Sequence, residues 1–127
     1  MTTEENCVCS CSCDDAATPV LVFPCAGGSN VGQISNAAAI ELDRAGKARI
    51  YCLAGVAAHI DGMVASAQGA RAIAIDGCNV ACARKALEHA NVKVEQAIVI
   101  TDLGIAKNHE FSWNQNEIKQ TLAALSL

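Results

Sequence analysis

The chain has 127 residues, of which 52% are hydrophobic and 3% aromatic, which suits one compact domain with an aliphatic core. Its net charge is −4 and its nine basic residues form no cluster, so no nucleic-acid partner is expected. No apolar run approaches the length of about 18 residues that a membrane-spanning helix needs, so no membrane partner is expected either.

Residues 1–17 show no periodic apolar pattern, and they are predicted to form a flexible tail before an α/β domain at residues 18–127. The opening stretch MTTEENCVCSCSC is acidic and lacks the basic and apolar regions of a signal peptide, so a cytoplasmic protein is expected. Thiols stay reduced there, and eight cysteines in such a chain favour metal binding or catalysis over disulfides.

The tail carries four cysteines at alternating positions, which make it a candidate second metal site. Their soft thiolates suit zinc or Cu(I), although the segment offers no scaffold to hold them around one ion. An oxidation-prone tail without a metal is the alternative. The four positions are Cys7, Cys9, Cys11 and Cys13.

The first predicted strand is PVLVFPC at residues 19–25, and the turn AGGSN follows it. Residues 30–45 then follow a helical period, and Gly46 is the expected residue just beyond the helix end. The side chains predicted to share the inward face of this helix are Ile34, Ala37, Ala38 and Leu42.

Strand and helix patterns alternate along the rest of the chain. The later predicted strands are residues 48–55, 70–77 and 95–102, and the later predicted helices are residues 56–68, 79–90 and 115–126. The side chains expected to face inward from the first two of these helices are Val56, Ile60, Met63, Ala67, Val80, Ala83, Leu87 and Ala90.

This alternation predicts an α/β fold of the Rossmann-like three-layer α/β/α type, with a four-stranded parallel sheet between two helix layers. Right-handed crossovers favour the strand order 2-1-3-4, and the order 1-2-3-4 is the alternative.

Four cysteines outside the tail lie near strand ends. Cys25 ends the first strand, Cys52 lies near the end of the second, Cys78 follows the third, and Cys82 lies in the first turn of the next helix. The order 2-1-3-4 places the first three strands side by side at about 4.8 Å spacing, so their ends share the edge where sites form. Four thiolates there would suit tetrahedral zinc, whereas inert, packed cysteines are the alternative.

Spacing supports a link between two of these cysteines. If residues 79–90 and the preceding turn are helical, Cys78 and Cys82 share one helix face at the i, i+4 spacing. The same edge carries three candidates for supporting roles. Ser29 is a candidate helix cap or anion-binding residue, Asp76 a candidate acceptor of backbone amides, and Lys107 a candidate partner for thiolate charge or an anionic substrate.

Several motifs occur in an order that resembles the DGC-domain family, named for the tripeptide at residues 76–78. They are PVLVFPCAGGSNVGQ, YCLAG, AIDGCNVACA and VITDLGIAKNHEF, which together cover roughly residues 19–111. The resemblance implies a zinc-binding protein with Cys25, Cys52, Cys78 and Cys82 as ligands. One departure is Asn79, where the family pattern leads us to expect proline.

The leading hypothesis is therefore a cytoplasmic zinc-binding protein with a structural or metal-handling role. The alternative is a redox or sulfur-transfer enzyme that uses Cys25 or Cys78. An iron–sulfur protein fits less well because the cysteines are not clustered in one short run, and a binding module with packed cysteines is a further option. His59 and His109 are candidates for extra ligands or proton carriers, with surface positions as the simpler expectation.

Overall fold

The structure, a computed structural model, describes residues 18–127. The predicted tail and its candidate second metal site at Cys7, Cys9, Cys11 and Cys13 lie outside the described residues. Within the described part, no helix has the length and apolar character needed to cross a membrane.

A four-stranded sheet, parallel throughout, forms the middle layer. Its strands are β1 (Val20–Pro24), β2 (Arg49–Ile50), β3 (Arg71–Asp76) and β4 (Val94–Val99). Their order is β2-β1-β3-β4, which confirms the predicted order 2-1-3-4. In the pairing of β1 with β3, Phe23 lies opposite Ala74 and Pro24 lies opposite Ile75, so these two strands end side by side.

In residues 18–127, five α-helices surround the sheet. They are α1 (Asn30–Arg44), α2 (Leu53–Ala57), α3 (Asp61–Gln68), α4 (Cys82–His89) and α5 (Gln115–Ala123), and a 3-10 helix covers Ile100–Leu103. The last α-helix begins close to its predicted start because Asn114 and Glu117 form a reciprocal capping box, with each side chain accepting the other residue's backbone N–H.

Side chains on alternate positions of β1 divide the core into two halves. Val22 packs with α1 and α5 residues such as Ile34 and Ile118 on one face. Phe23 packs on the other face with residues of α2 and α4, including Val56 and Leu87. Because successive strand residues point to opposite faces, this arrangement confirms the three-layer α/β/α architecture.

The predicted second strand at residues 48–55 is wrong over most of its length. Only Arg49 and Ile50 pair with β1, and the chain turns into α2 at Leu53. Cys52 is the residue just before that helix and is exposed. The apolar run YCLAG is too short for periodicity to distinguish a strand from a helix. In the structure Val56 packs into the core beside the sheet, and this packing favours the helix.

The predicted helix at residues 56–68 is two helices, α2 and α3, separated at His59. His59 has φ +58°, a left-handed conformation that ends an α-helix. Ile60, predicted to face inward, is 52% exposed because it lies at this break, whereas Val56 and Ala67 are buried as predicted.

The predicted helix at residues 79–90 begins later, at Cys82. Residues 78–81 form a turn in which the Ala81 N–H donates to the Cys78 carbonyl, and Ala81 has φ +56°. Val80, predicted to face inward, is 51% exposed for this reason. Cys78 lies outside the helix, so the expectation that Cys78 and Cys82 share a helix face is wrong.

Three helices end with the same pair of backbone hydrogen bonds, the Schellman motif. The residue with positive φ is Gly46 after α1, His59 after α2 and Asn91 after α4. In each case the next residue donates its N–H to a carbonyl five residues earlier, for example Ile60 to Gly55. Gly46 lies just beyond the end of α1, as predicted. A left-handed conformation costs a residue with a side chain about 1–2 kcal/mol, and His59 and Asn91 are of residue types that adopt it more often than most.

Candidate functional site

Two strand-to-helix crossings meet at the carboxyl edge of the sheet. The first crossing, residues 25–29, joins β1 to α1, and the second crossing, residues 77–81, joins β3 to α4. The second crossing also packs against the first turn of α1, where a methyl group on Gly77 would lie 2.8 Å from the backbone nitrogen of Gly32 and the carbonyl carbon of Val31. The absence of a side chain at Gly77 therefore allows the second crossing to pack against the start of α1.

Cys25 is held between the two crossings. Its backbone N–H extends the sheet by donating to the Ile75 carbonyl at 3.0 Å, and its Sγ accepts the N–H of Gly77 at 3.3 Å. Its Sγ also lies 3.6 Å from the Ser35 hydroxyl oxygen. The sulfur is therefore held by contacts from the second crossing and from α1.

Ser35 is a fully buried polar side chain on the inward face of α1. Its hydroxyl donates to the Gly32 carbonyl and accepts the Ala26 N–H at 3.2 Å, so it also shapes the turn after Cys25. Helical periodicity did not single out this residue. A serine on a helix face otherwise formed by Val31, Ile34 and Ala38 was the pattern that could have indicated it.

The start of α1 is fixed by two side chains. Ser29 accepts the Gly32 N–H at 3.1 Å, which confirms its predicted role as a helix cap. Asn30 is buried, donates to the Ala106 carbonyl at 2.9 Å and accepts the Asn108 N–H at 2.6 Å. This pair of bonds anchors the segment that carries Lys107, and no pattern in the sequence indicated it.

The second crossing depends on Asp76, the last residue of β3, which is 2% exposed. Its carboxylate accepts the N–H of Ala83 at 2.7 Å and the N–H of Arg84 at 3.1 Å. These amides belong to the first turn of α4, so Asp76 caps that helix from the end of the strand. Asp76 therefore receives backbone amides as predicted. Its support of a metal ligand stays a prediction.

Lys107 reaches the second crossing from the segment after β4. Its ammonium nitrogen lies 3.6 Å from Cys78 Sγ, within donor distance of the sulfur. An ammonium group at this distance stabilises negative charge on sulfur. The sequence placed Lys107 at this edge, and the structure identifies Cys78 as the thiol that it contacts.

Three of the four predicted cysteines share one cavity of about 320 Å³ between the crossings. Besides Cys25, Cys78 and Cys82, the residues that line this thiol cavity are Gly27, Gly28, Ser29, Gly32, Gly77, Val80 and Lys107. Cys52 lies outside it. An adjoining cavity of about 470 Å³ is lined by both Cys25 and Cys52, together with Tyr51 and other residues of that edge.

The thiols of the described residues line neighbouring cavities without forming a closed ligand set. All four cysteines of the described part are free rather than in disulfides. Within residues 18–127, no group of three or more His, Cys, Asp or Glu side chains stands close enough together to hold a metal ion. The assignment of Cys25, Cys52, Cys78 and Cys82 as metal ligands stays a prediction.

The two histidines named from the sequence lie elsewhere. His59 and His109 are exposed and line neither cavity. His59 instead contacts His89, with 2.9 Å between His59 Nε2 and His89 Nδ1. Nothing in the sequence indicated this pair, because the two residues are 30 positions apart, one after the end of α2 and the other at the end of α4.

Comparison with known proteins gives one family and one similar curated protein. The family model of the DGC domain matches residues 21–125. The Anaerobic and virulence modulator AnvM of Pseudomonas aeruginosa PAO1 is 36% identical over 90 residues, which are 70% of this chain and 69% of that protein. No solved structure was found to match the chain.

Proposed function

Because this chain belongs to the DGC-domain family, we propose that it is a zinc-binding protein in which Cys25, Cys52, Cys78 and Cys82 supply the ligands. The observation that carries the proposal is the thiol cavity. Cys25, Cys78 and Cys82, which come from two separate crossings, line one space at the edge of the sheet. Zinc takes thiolate ligands in tetrahedral sites, so the donor chemistry fits the ion.

The surroundings of the sulfurs also fit a charged thiolate group. Four thiolates around a divalent cation carry a net negative charge, which neighbouring donors must offset. The Gly77 N–H donates to Cys25 Sγ, and the Lys107 ammonium lies 3.6 Å from Cys78 Sγ. Binding requires the thiols to close toward a common point, and Cys52 approaches from the adjoining cavity that it shares with Cys25.

The role that we propose is structural or metal-handling. Four protein ligands leave no open coordination position, so zinc would supply a cross-link between strand ends rather than a hydrolytic centre. The relative AnvM is named as a modulator, and we extend a regulatory role to this chain on that similarity. The free thiols suit the reducing cytoplasm, which is the compartment that we propose.

Metal analysis of the purified chain tests this function. The full-length protein is prepared in a reducing buffer, and zinc per chain is measured by atomic emission. A variant with serine at Cys7, Cys9, Cys11 and Cys13 removes the thiols of the tail. We expect this variant to retain one zinc ion per chain, because the proposed ligands lie in the domain.

Cys78→Ser in that tail-serine background should lose the ion, since serine is a poor zinc ligand at neutral pH. Ser66→Ala, on the exposed part of α3, is a matched control that leaves every cysteine in place. Full zinc occupancy in the Cys78→Ser protein would contradict the proposal, provided that circular dichroism shows the same fold.

A second function is supported by the contact between Lys107 and Cys78. A thiolate stabilised by an ammonium group is a nucleophile, and the thiol cavity gives small molecules access to it. Cys78 would attack the terminal sulfur of a low-molecular-weight persulfide. The S–S bond of the donor breaks, the donor leaves as a thiolate, and Cys78 becomes a persulfide.

Mass spectrometry of the intact protein separates the two functions. After incubation with a small persulfide donor, a gain of one sulfur at Cys78 supports sulfur transfer, and protection of all four thiols by zinc counts against it. Cys52→Ser is the matched control, because Cys52 lies outside the thiol cavity and should leave the adduct at Cys78 unchanged.

A further inference from the structure

His59 occupies a backbone position that normally belongs to glycine or asparagine. It is the positive-φ residue of the Schellman motif after α2, where its N–H donates to Val56 and the next N–H donates to Gly55. The equivalent residues after α1 and α4 are Gly46 and Asn91. The Schellman motif fixes the backbone of His59, and the fixed backbone limits where its side chain can reach.

The His59 side chain reaches the end of α4. His89 is the last residue of that helix, and its Nδ1 lies 2.9 Å from His59 Nε2, with the two rings nearly perpendicular at 80°. Both imidazoles are exposed. The Schellman motifs after α2 and α4 fix the two backbones, so the facing nitrogens are held together by both helix ends.

We propose that His59 and His89 form a binding site for a divalent transition metal ion, which is separate from the thiol cavity. Two imidazole nitrogens that bind one tetrahedral ion are about 3.3 to 3.4 Å apart, so the observed pair needs to open by only a few tenths of an ångström. Imidazole suits zinc, nickel and copper, and the exposure of both rings leaves room for water to complete the coordination.

The chemistry of the pair favours a cation. In the metal-free hydrogen bond, one of the two facing nitrogens carries a proton. Both must present lone pairs to a metal, which requires one ring to change tautomer and place its proton on its outward nitrogen. No proton has to leave the protein. The site also lies at the carboxyl end of α4, where the helix dipole favours positive charge.

Nickel is the probe, because Ni²⁺ is paramagnetic and binds imidazole. The full chain is titrated with less than one equivalent of Ni²⁺ while NMR records the ring-proton signals of its three histidines. We expect selective broadening of the His59 and His89 signals, with that of His109 unaffected. Equal broadening of all three signals, or none at His59 and His89, would overturn the site and leave the pair as a hydrogen bond alone.

Substitutions test whether the two rings act together. His59→Asn keeps a residue that tolerates positive φ, as Asn91 does after α4, so the fold is expected to persist. Loss of either ring, by His59→Asn or His89→Gln, should weaken Ni²⁺ binding at this site by about 10- to 100-fold, since chelation is lost. His109→Gln is the matched control.

Nickel affinity that is unchanged in both ring variants would refute the proposal. The test is also independent of the proposed zinc function. Cys78→Ser should preserve the broadening at His59 and His89, so failure of one proposal leaves the other open to its own experiment.

Discussion

The two crossings at the carboxyl edge differ in how the first backbone N–H groups of the following helix find their hydrogen-bond acceptors. In each, the helix begins six residues after the strand ends, and a cysteine lies between them. The first crossing uses local bonds, with Ser29 capping α1 three residues ahead. The second crossing has a turn at residues 78–81. Its helix cap is Asp76 at the end of β3, whose carboxylate accepts two backbone N–H groups of α4.

This difference determines how each thiol is presented. Both cysteines are half-buried, but their sulfurs have different partners: Cys25 Sγ accepts the Gly77 N–H and lies beside Ser35, whereas Cys78 Sγ lies beside the Lys107 ammonium. We therefore expect Cys78, next to a cation, to be the more reactive of the two thiols.

The contact of the second crossing with the first turn of α1 gives the largest effect among the variants compared below. In Gly77→Ala the new methyl group would meet the Gly32 and Val31 backbone at 2.8 Å. Neither backbone can yield easily, so we expect a loss of about 3 kcal/mol in the free energy of unfolding. Urea denaturation measures it. Gly28→Ala, which meets nothing within 4 Å in the first crossing, should change stability by less than about 0.5 kcal/mol.

The two helix caps should differ in energy. Asp76→Ala leaves two amides of α4 without their acceptor and should cost about 2 kcal/mol. Ser29→Ala removes a single neutral cap bond and should cost about 1 kcal/mol. Both values come from urea denaturation under the same conditions. If the two variants lose equal unfolding free energy, or if Ser29→Ala loses more, the proposed difference between the two caps is wrong.

The contrast between the thiols can be measured by alkylation. Lys107→Met removes the ammonium beside Cys78 and should slow iodoacetamide modification of Cys78 about two- to fivefold, a modest effect because the lysine is exposed. Peptide mass spectrometry follows each cysteine separately. Modification of Cys25, which has no contact with Lys107, should keep its rate. An equal change at both sites would show that Lys107 does not act through Cys78.

The smallest effect is expected away from the crossings, where Arg71 at the start of β3 binds Glu95 of β4. Hydrogen bonds from Arg71 hold the pKa of the Glu95 carboxyl below its ordinary value. The ion pair therefore stabilises the fold above the ordinary carboxyl pKa, and this contribution disappears as pH falls through the lowered pKa.

Thermal unfolding from neutral to acidic pH measures this contribution. Glu95→Gln should be slightly less stable than the parent near neutral pH, and the gap should close in acid. The pair is exposed, so its effect should be below that of either crossing variant. A loss at neutral pH larger than that of Asp76→Ala would contradict the view that the crossings dominate the stability of this edge.

The start of α4 shows where hydrophobic periodicity fails to predict a helix boundary. The pattern at residues 79–90 predicted an inward Val80, yet α4 begins at Cys82 because Asp76 caps the amides of Ala83 and Arg84. The capping carboxylate lies seven residues before the first of these amides. Local periodicity carries no information about such a bond.

By itself, the sequence determined the alternation of strands and helices and favoured the parallel order 2-1-3-4 over 1-2-3-4, with Cys25 and Cys78 following neighbouring strands. Hydrophobic periodicity and short, right-handed connections are sufficient for these features. Only the tertiary structure decided that Cys25, Cys78 and Cys82 share a cavity, that Lys107 faces Cys78 and that His59 meets His89. Those contacts join residues that are far apart in the chain. They require backbone segments to approach closely, as Gly77 approaches Gly32, and only tertiary packing produces such an approach.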